Sequence, residues 1–250
     1  MELSDRARAV LTALPAWTEL EHTDPEYMER FAAFALEEVP AQGALSAHTR
    51  YLAILSALLG CQGVDAFAML LPAALAEGVT EIEVKEIVYQ ATAYIGFGRV
   101  LPFLRETNRL LAANGAALPL APQATTDAST RLTTGEQAQV DIFGEGMRGF
   151  SQSGPEDSRH INRWLSANCF GDYYTRHGLD YAQREMATFC LLAAQGGCEP
   201  QLTSHAAANL RLGNDVDFLI QVVSQCLPYI GYPRSLNALS CIRKVAESAQ

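Results

Sequence analysis

The sequence is poor in positive charge, in β-strand patterns and in long apolar runs. Its 250 residues carry 18 Lys and Arg against 28 Asp and Glu, a net charge of −10. Nucleic acids and anionic membranes both recruit clustered basic side chains, so this balance argues against either partner. The longest apolar stretches, such as 52–61, are far shorter than the roughly 20 residues that a membrane-spanning helix needs. We therefore expect no nucleic-acid partner and no membrane partner.

Motifs for metals and nucleotides are also missing. The sequence has no Cys-x-x-Cys, no His-Glu-x-x-His and no Gly-rich phosphate loop, so we expect no metal and no nucleotide. The N-terminus has no charged-then-apolar leader, which predicts a cytoplasmic protein with reduced thiols. Five of the six cysteines lie among apolar neighbours and are predicted to be small core residues: Cys61, Cys169, Cys190, Cys226 and Cys241.

Helix signals dominate the chain. Thr80 and Glu83 have the spacing of a capping box, in which each side chain bonds the backbone of the other. Gly213 is typical of a helix end, and Asn214 or Asp215 suits the cap of the next helix. Apolar residues recur every three or four positions after these caps, which is the period of a helix. The sequence predicts an all-α protein.

The two halves of the sequence align when it is shifted by 135 positions. The matching positions include Tyr94-Ile95-Gly96 with Tyr229-Ile230-Gly231, Arg99 with Arg234, and Leu101 with Leu236. We predict a tandem duplication, with one unit over 1–114, a linker rich in Ala, Pro, Thr and Gly over 115–134, and a second unit over 135–250. Each copy is small, so we expect the two to complete one core by packing together.

His205 and Cys198 are the residues best placed for chemistry. Pro200 suits a first helical position, which makes Glu199 the expected cap and puts Cys198 at the positive end of the helix dipole, where a thiolate is favoured. His205 lies further along that helix and is a candidate general acid or base. The two are about 10 Å apart along the helix, too far to share a metal. A core histidine and a small buried thiol are the structural alternatives. Glu185 either pairs with His205 or caps its own helix.

A second candidate cluster lies between residues 169 and 179. This stretch is bounded by glycine and combines aromatic side chains with arginine. Tyr174 and Arg176 are candidate substrate-binding residues there, because a guanidinium group holds a carboxylate in a two-pronged fork. The alternative is a surface loop that its aromatic residues anchor. Arg234 is a third candidate, although its counterpart Arg99 also fits a structural role.

These segments resemble the carboxymuconolactone decarboxylase family, which includes the alkylhydroperoxidase AhpD-like proteins. The resemblance rests on Arg184-Glu185-Met186, on Gly197-Cys198-Glu199-Pro200-Gln201-Leu202 with His205, and on Tyr229-Ile230-Gly231-Tyr232-Pro233-Arg234. The run 170–179 resembles the decarboxylase branch. The resemblance covers nearly all of 135–248 and extends through the repeat over 25–112. It implies an all-helical AhpD-like fold and a homo-oligomer, in which a trimer of two-repeat chains imitates a hexamer.

The sequence departs from the peroxidase branch of that family. That branch has Cys-x-x-Cys, a His four residues after the second Cys and a Glu twelve residues before the first. Cys198 and His205 stand at the first-Cys and His positions, but Gln201 replaces the second Cys, so a sulfenic acid has no resolving thiol. Glu185 is one position out of register. The second unit is therefore expected to hold the site, because the first has other residues at the two Cys positions and the His: Gly63, Ala66 and Leu70.

Three functions remain open from the resemblance, which favours the first. The first is a carbon–carbon lyase without a cofactor, acting by decarboxylation or proton transfer on a small carboxylated lactone or oxo-acid. In it, His205 moves the proton, Arg176 holds a carboxylate, and Cys198 or Glu185 orients the imidazole. The second is an antioxidant thiol peroxidase, in which Cys198 reduces a peroxide and an outside thiol resolves it. The third is a helical oligomer without catalytic activity.

Overall fold

The chain folds into helices, most of them joined by short turns, with a longer non-helical segment over residues 114–130. The computed structural model describes residues 3, 4, 7, 8, 11 and 15–248, and that part of the chain contains helices and no strand, which confirms the predicted all-α class. The α-helices are α1 (Pro15–Thr23), α2 (Pro25–Ala32), α3 (Ala47–Gly60), α4 (Val64–Ala76), α5 (Glu81–Ile95), α6 (Phe97–Ala113), α7 (Arg131–Phe143), α8 (Arg159–Trp164), α9 (Tyr181–Gln195), α10 (Glu199–Arg211), α11 (Val216–Ile230) and α12 (Tyr232–Ser248). Wider π-helical turns follow α2 (Ala33–Glu38) and α8 (Leu165–Tyr174), and 3₁₀ turns lie at Pro40–Gln42, Glu145–Met147 and Phe150–Gln152. None of the described helices has the length and apolarity needed to cross a bilayer.

Helix positions recur along the chain at the spacing seen in the sequence. Shifting residue numbers by the 135 positions that align the two halves moves α4 onto α10. The same shift moves α5 onto α11 and α6 onto α12. The turns recur as well, since Gly78 and Gly213 both have φ 95° and Gly96 and Gly231 both have φ 79°. Those angles lie in the left-handed region that favours glycine, which ends the preceding helices. The division into two units and a linker stays a prediction, with α7 starting at Arg131, inside the predicted linker.

Local side-chain chemistry sets several helix starts. The Thr80 hydroxyl accepts from the Glu83 amide at 3.2 Å, and the Glu83 carboxylate accepts from the Thr80 amide at 2.7 Å, which confirms the capping box. Asp215 caps α11 by accepting from the Phe218 amide at 2.7 Å. Asn214 does not cap this helix. Its side-chain amide instead donates to the Ala182 carbonyl oxygen on α9 and to the Asn209 side-chain oxygen on α10.

The two halves share one hydrophobic core. Helices α9 and α11 both belong to the second half of the chain. Each packs against α3 of the first half. Gly60 permits the close approach of α3 to α9, because a Cβ atom there would overlap the Leu191 carbonyl oxygen. The shared cluster contains buried residues from both halves, among them Leu55, Leu59, Leu191, Ala194, Val222 and Cys226. This packing brings α5 of the first half beside α9 and α10 of the second.

A second close contact joins α7 to the π-helical segment Leu165–Tyr174. Glycines make it possible, since a Cβ at Gly135 would overlap the Ser166 carbonyl oxygen and one at Gly171 would overlap that of Arg131. The two elements enclose a small buried cluster with α10: Ala138, Ile142, Cys169, Phe170, Tyr174 and Ala208. Aromatic side chains of both elements are thereby directed towards α10.

Candidate active site

A buried carboxylate and an imidazole meet where α9 packs against α10. Oε2 of Glu185 lies 2.6 Å from Nδ1 of His205. The Glu185 side chain is fully buried, whereas the imidazole keeps 10% of its surface accessible. Its other nitrogen, Nε2, has no hydrogen-bond partner among the described residues and is not sealed from solvent. A carboxylate at Nδ1 holds that proton in place and leaves Nε2 to exchange protons with a ligand.

The Glu185 carboxylate depends on His205 for its electrostatic balance. Its second oxygen, Oε1, is buried and has no hydrogen-bond partner among the described residues. A buried polar group without a hydrogen-bond partner is costly, so the contact with Nδ1 of His205 is the one that satisfies this carboxylate among the described residues. The two residues therefore form a coupled pair, which we call the dyad. Of the alternatives for Glu185, the structure shows pairing, since Asp180 caps α9.

Asn209 fixes the backbone around the dyad. Its side-chain amide donates to the carbonyl oxygens of Glu185 at 3.0 Å and of His205 at 2.8 Å. Asn214 donates to the Asn209 side-chain oxygen at 2.8 Å and to the Ala182 carbonyl oxygen at 3.0 Å. These bonds tie the two helices together beside the reactive side chains, which limits how far Glu185 and His205 can separate.

Aromatic rings wall the imidazole. The ring of Tyr94, on α5, lies edge-on to His205 at 5.6 Å between centroids, and that of Phe143, at the end of α7, at 5.4 Å. Phe170 packs against Phe143 at 5.7 Å and against Tyr174 at 4.7 Å. The dyad therefore lies in apolar surroundings in which charge interactions are stronger than in water.

Hydroxyl groups form a chain behind this wall. The Tyr94 hydroxyl lies 2.6 Å from that of Tyr174, which in turn lies 2.7 Å from the Thr188 hydroxyl. Burial raises the pKa of both tyrosines well above its ordinary value, and the charge of Glu185 raises the pKa further. The Cys169 thiol donates to the Tyr94 hydroxyl at 3.8 Å, and burial raises its pKa to about 12. These groups remain protonated near neutral pH.

The structure places Tyr174 beside the dyad and Arg176 elsewhere. Nε of Arg176 donates to both carboxylate oxygens of Glu86 at 3.0 Å. Glu86 and Tyr94 are eight residues apart on α5, about 12 Å along the helix. The structure thus pairs Arg176 with a carboxylate about 12 Å along α5 from Tyr94, and binding of the His205 substrate by Arg176 stays a prediction.

The surroundings of Cys198 oppose a thiolate and agree with the alternative of a small buried thiol, while its catalytic role stays a prediction. Cys198 occupies the cap position of α10, which begins at Glu199, and its thiol donates to the Leu192 carbonyl oxygen at 3.5 Å. Burial raises its pKa, with the charges of Glu199 and Cys241 adding to the increase and Arg234 opposing it. Burial disfavours the charged form of a thiol, so it acts against the thiolate that the helix dipole favours.

Arg234 lies on the Cys198 side of α9. Its charge lowers the pKa of both Cys198 and Cys61, although burial dominates and raises each pKa overall. Its Nη1 atom is buried and has no hydrogen-bond partner among the described residues. Substrate binding by Arg234 stays a prediction. No three His, Cys, Asp or Glu side chains of the described chain converge as metal ligands.

Sequence reasoning missed three members of the site. Tyr94 belongs to the Tyr-Ile-Gly register that aligns the two halves, and that register was the one signal that could have marked it. Cys169 was assigned to the core, and its thiol donates to the Tyr94 hydroxyl. Phe143 carries no signal of its own in the sequence.

Two segments of the chain match the model of a known protein family. The model of the carboxymuconolactone decarboxylase family matches the chain twice, over residues 25–108 and 160–244. The chain belongs to the carboxymuconolactone decarboxylase family. The resemblance that the sequence motifs indicated is thereby confirmed.

A solved structure of this family shares the fold. It is the crystal structure of a protein from Burkholderia xenovorans LB400, provisionally named a gamma-carboxymuconolactone decarboxylase subunit. It is similar over 97% of both chains with a TM-score of 0.56 and 18% sequence identity, a level that shows the fold alone. A comparison with curated protein sequences finds no match. In this carboxymuconolactone decarboxylase family member, Glu185 and His205 lie in the second matched segment and Tyr94 lies in the first.

Proposed function

We propose that the chain is an acid–base enzyme that decarboxylates a small carboxylated lactone or a related oxo-acid, or moves a proton within one. The observation that carries this proposal is the dyad, with Glu185 on Nδ1 of His205 and Nε2 open. General acid–base catalysis needs a nitrogen that reaches the substrate and a partner that orients the ring. The dyad has both.

The proposed reaction uses one proton and no cofactor. The bond between the ring carbon and its carboxylate breaks, carbon dioxide leaves, and the electron pair moves onto the conjugated carbonyl oxygen. Protonated His205 then gives its Nε2 proton to carbon, the enolate returns to the carbonyl form, and a proton from solvent restores the imidazolium. The negative charge of Glu185 stabilises the imidazolium for as long as His205 carries the Nε2 proton.

The walls of the site support this chemistry. Rings beside His205 leave only a tenth of its side-chain surface accessible to water, so a developing enolate oxygen would depend mainly on donors of the protein. Tyr94 is a candidate donor, because its phenol stays protonated and its ring lies against the imidazole. A hydrogen-bond donor that is already in place stabilises negative charge as it forms in the transition state. This stabilisation is a large part of the rate enhancement in many enzymes.

The geometry disfavours a thiol peroxidase. Thiolates react with peroxides far better than thiols do. Burial raises the pKa of both Cys198 and Cys169, so each is a protonated thiol near neutral pH. The hydrogen bond of Cys198 is directed to Leu192 and leaves His205 without a thiol partner.

Incubation of the purified protein with 4-carboxymuconolactone tests the proposal. We expect release of carbon dioxide in step with loss of the lactone. A protein that leaves this compound unchanged would exclude it as the substrate. If a panel of related carboxylated lactones and oxo-acids also stayed intact, with no exchange of their acidic protons for deuterium, the acid–base proposal would fail in favour of a helical protein without catalytic activity.

We also propose that the chain forms a homotrimer. Equivalent positions of α6 and α12 expose a pair of apolar residues each, Phe97 with Leu101 and Tyr232 with Leu236. Exposed apolar pairs at equivalent positions of the two halves are suited to equivalent contacts between copies. Light scattering should give three times the chain mass of 27.1 kDa, and Tyr232→Ser with Leu236→Ser should lower it. A wild-type protein with the mass of one chain would contradict the trimer.

A further inference from the structure

A cavity lies about 12 Å along α5 from the aromatic wall of the dyad. It has a volume of about 380 Å³, and His205 is not among its lining residues. Helices α5 and α6 form its floor, and segment 118–123, which follows α6, forms an apolar wall rich in proline. Its polar lining consists of Lys85, Glu86, Tyr89, Asn108, Gln123 and Arg176.

This cavity carries more positive than negative charge. Glu86 is buried, and its single carboxylate is shared between Arg176 and Arg184, each at 3.0 Å. Lys85 adds a third positive charge. The three cations and one anion leave an excess of two positive charges beside a cavity in a chain whose net charge is −10. Such a site attracts anions against the overall charge of the molecule.

Lys85 is the least compensated of these cations. The residue is only 8% exposed, yet its ammonium group donates to a neutral acceptor, the Asn108 side-chain carbonyl. It also lies over the Tyr89 ring, 5.3 Å from the centroid, and the Arg176 guanidinium is at the same distance from that ring. No carboxylate of the described chain forms an ion pair with Lys85. A buried ammonium without a negative partner is costly unless a ligand supplies the charge.

We propose that this cavity binds a small organic carboxylate, with its charged end between Lys85 and Arg176 and its apolar body against segment 118–123. Only Nε of Arg176 is used by Glu86, so its two terminal nitrogens remain for a carboxylate fork. The apolar wall favours a ligand with a ring or chain over a bare inorganic anion. The volume is in the usual range for small-molecule sites. This site is separate from the dyad and goes beyond the proposed function.

Calorimetric titration of the full chain with benzoate tests this site. Benzoate has one carboxylate and an apolar ring, benzamide has the same shape without charge, and inorganic phosphate has charge without an apolar body. We expect benzoate to bind at least ten-fold more tightly than either of the others. Lys85→Met should weaken benzoate binding at least ten-fold, whereas Lys244→Met, the same change at the other lysine of the chain, should leave it unaltered.

Further variants separate this site from the dyad and from folding. His205→Gln should retain benzoate binding, and loss of binding in that variant would place the ligand at the dyad and overturn the proposal. If Lys85→Met does not fold, Ala121→Glu adds a negative charge at the exposed cavity wall and should weaken benzoate at least ten-fold. Equal binding of benzoate and benzamide, equal binding of phosphate, or no benzoate binding by the wild-type protein would each overturn it. Because binding is measured directly, an inactive enzyme leaves this test intact.

Discussion

Replacing His205 with glutamine is expected to lower kcat/KM for the carboxylated lactone by about 10²- to 10⁴-fold, the usual contribution of a general acid or base. A glutamine side chain can still donate to Glu185, so the buried carboxylate keeps a partner. It cannot take up or release a proton near neutral pH, so the protonation of carbon loses its donor. Steady-state kinetics of carbon dioxide release would measure the change, with circular dichroism to confirm that the variant folds.

Two variants make this result specific. His160→Gln is a matched control, because His160 is exposed and, among the aromatic rings of the described residues, packs on Trp164 alone. It should keep the wild-type rate. Cys198→Ser should also keep it, because the Cys198 thiol donates to the Leu192 carbonyl oxygen and not to His205. A His205→Gln enzyme with the wild-type rate would remove the dyad from the mechanism.

Local chemistry made much of the fold predictable. The Thr80 capping box and the helix ends at Gly78 and Gly213 follow from residues that lie a few positions apart. The offset between the two halves likewise relates the bounds of the later helices to those of the earlier ones. The family motifs selected Glu185 and His205 as a candidate pair, although their spacing left a helix-capping role for Glu185 equally open.

The rest of the site depends on packing between distant segments. Tyr94 and Phe143 reach His205 from α5 and from the end of α7, both far earlier in the chain, and no local pattern marks that meeting. Arg176 is close to Tyr174 in sequence, yet its ion pair with Glu86 directs it to the cavity beside segment 118–123. For Cys198, the position at a helix start is visible in the sequence, whereas the burial that raises the pKa of its thiol depends on neighbours that only the folded chain supplies.

Arg184→Met is expected to lower the free energy of unfolding by about 3–5 kcal/mol, the usual cost of breaking a buried ion pair. The Arg184 side chain is fully buried, and it donates to Glu86 at 3.0 Å and to the Gln90 side-chain oxygen at 3.0 Å. It also donates to the carbonyl oxygens of Arg176 at 2.8 Å and His177 at 3.2 Å. Methionine fills similar space but donates to none of these groups, so several buried acceptors lose their partner.

Urea unfolding at one fixed protein concentration would measure this loss, since association also affects apparent stability. Arg30→Met is the matched control, because Arg30 forms an ion pair with Glu26 at 2.9 Å on an exposed face, with both side chains more than three-quarters accessible. Pairs of that kind contribute about 0–1 kcal/mol, since water screens them. Burial lowers the pKa of Arg184, and Glu86 opposes that effect. The charge of Arg184 thus depends on an ion pair that methionine cannot form. Equal losses in the two variants would mean that the buried network linking α5 to α9 does not stabilise the contact between the two halves.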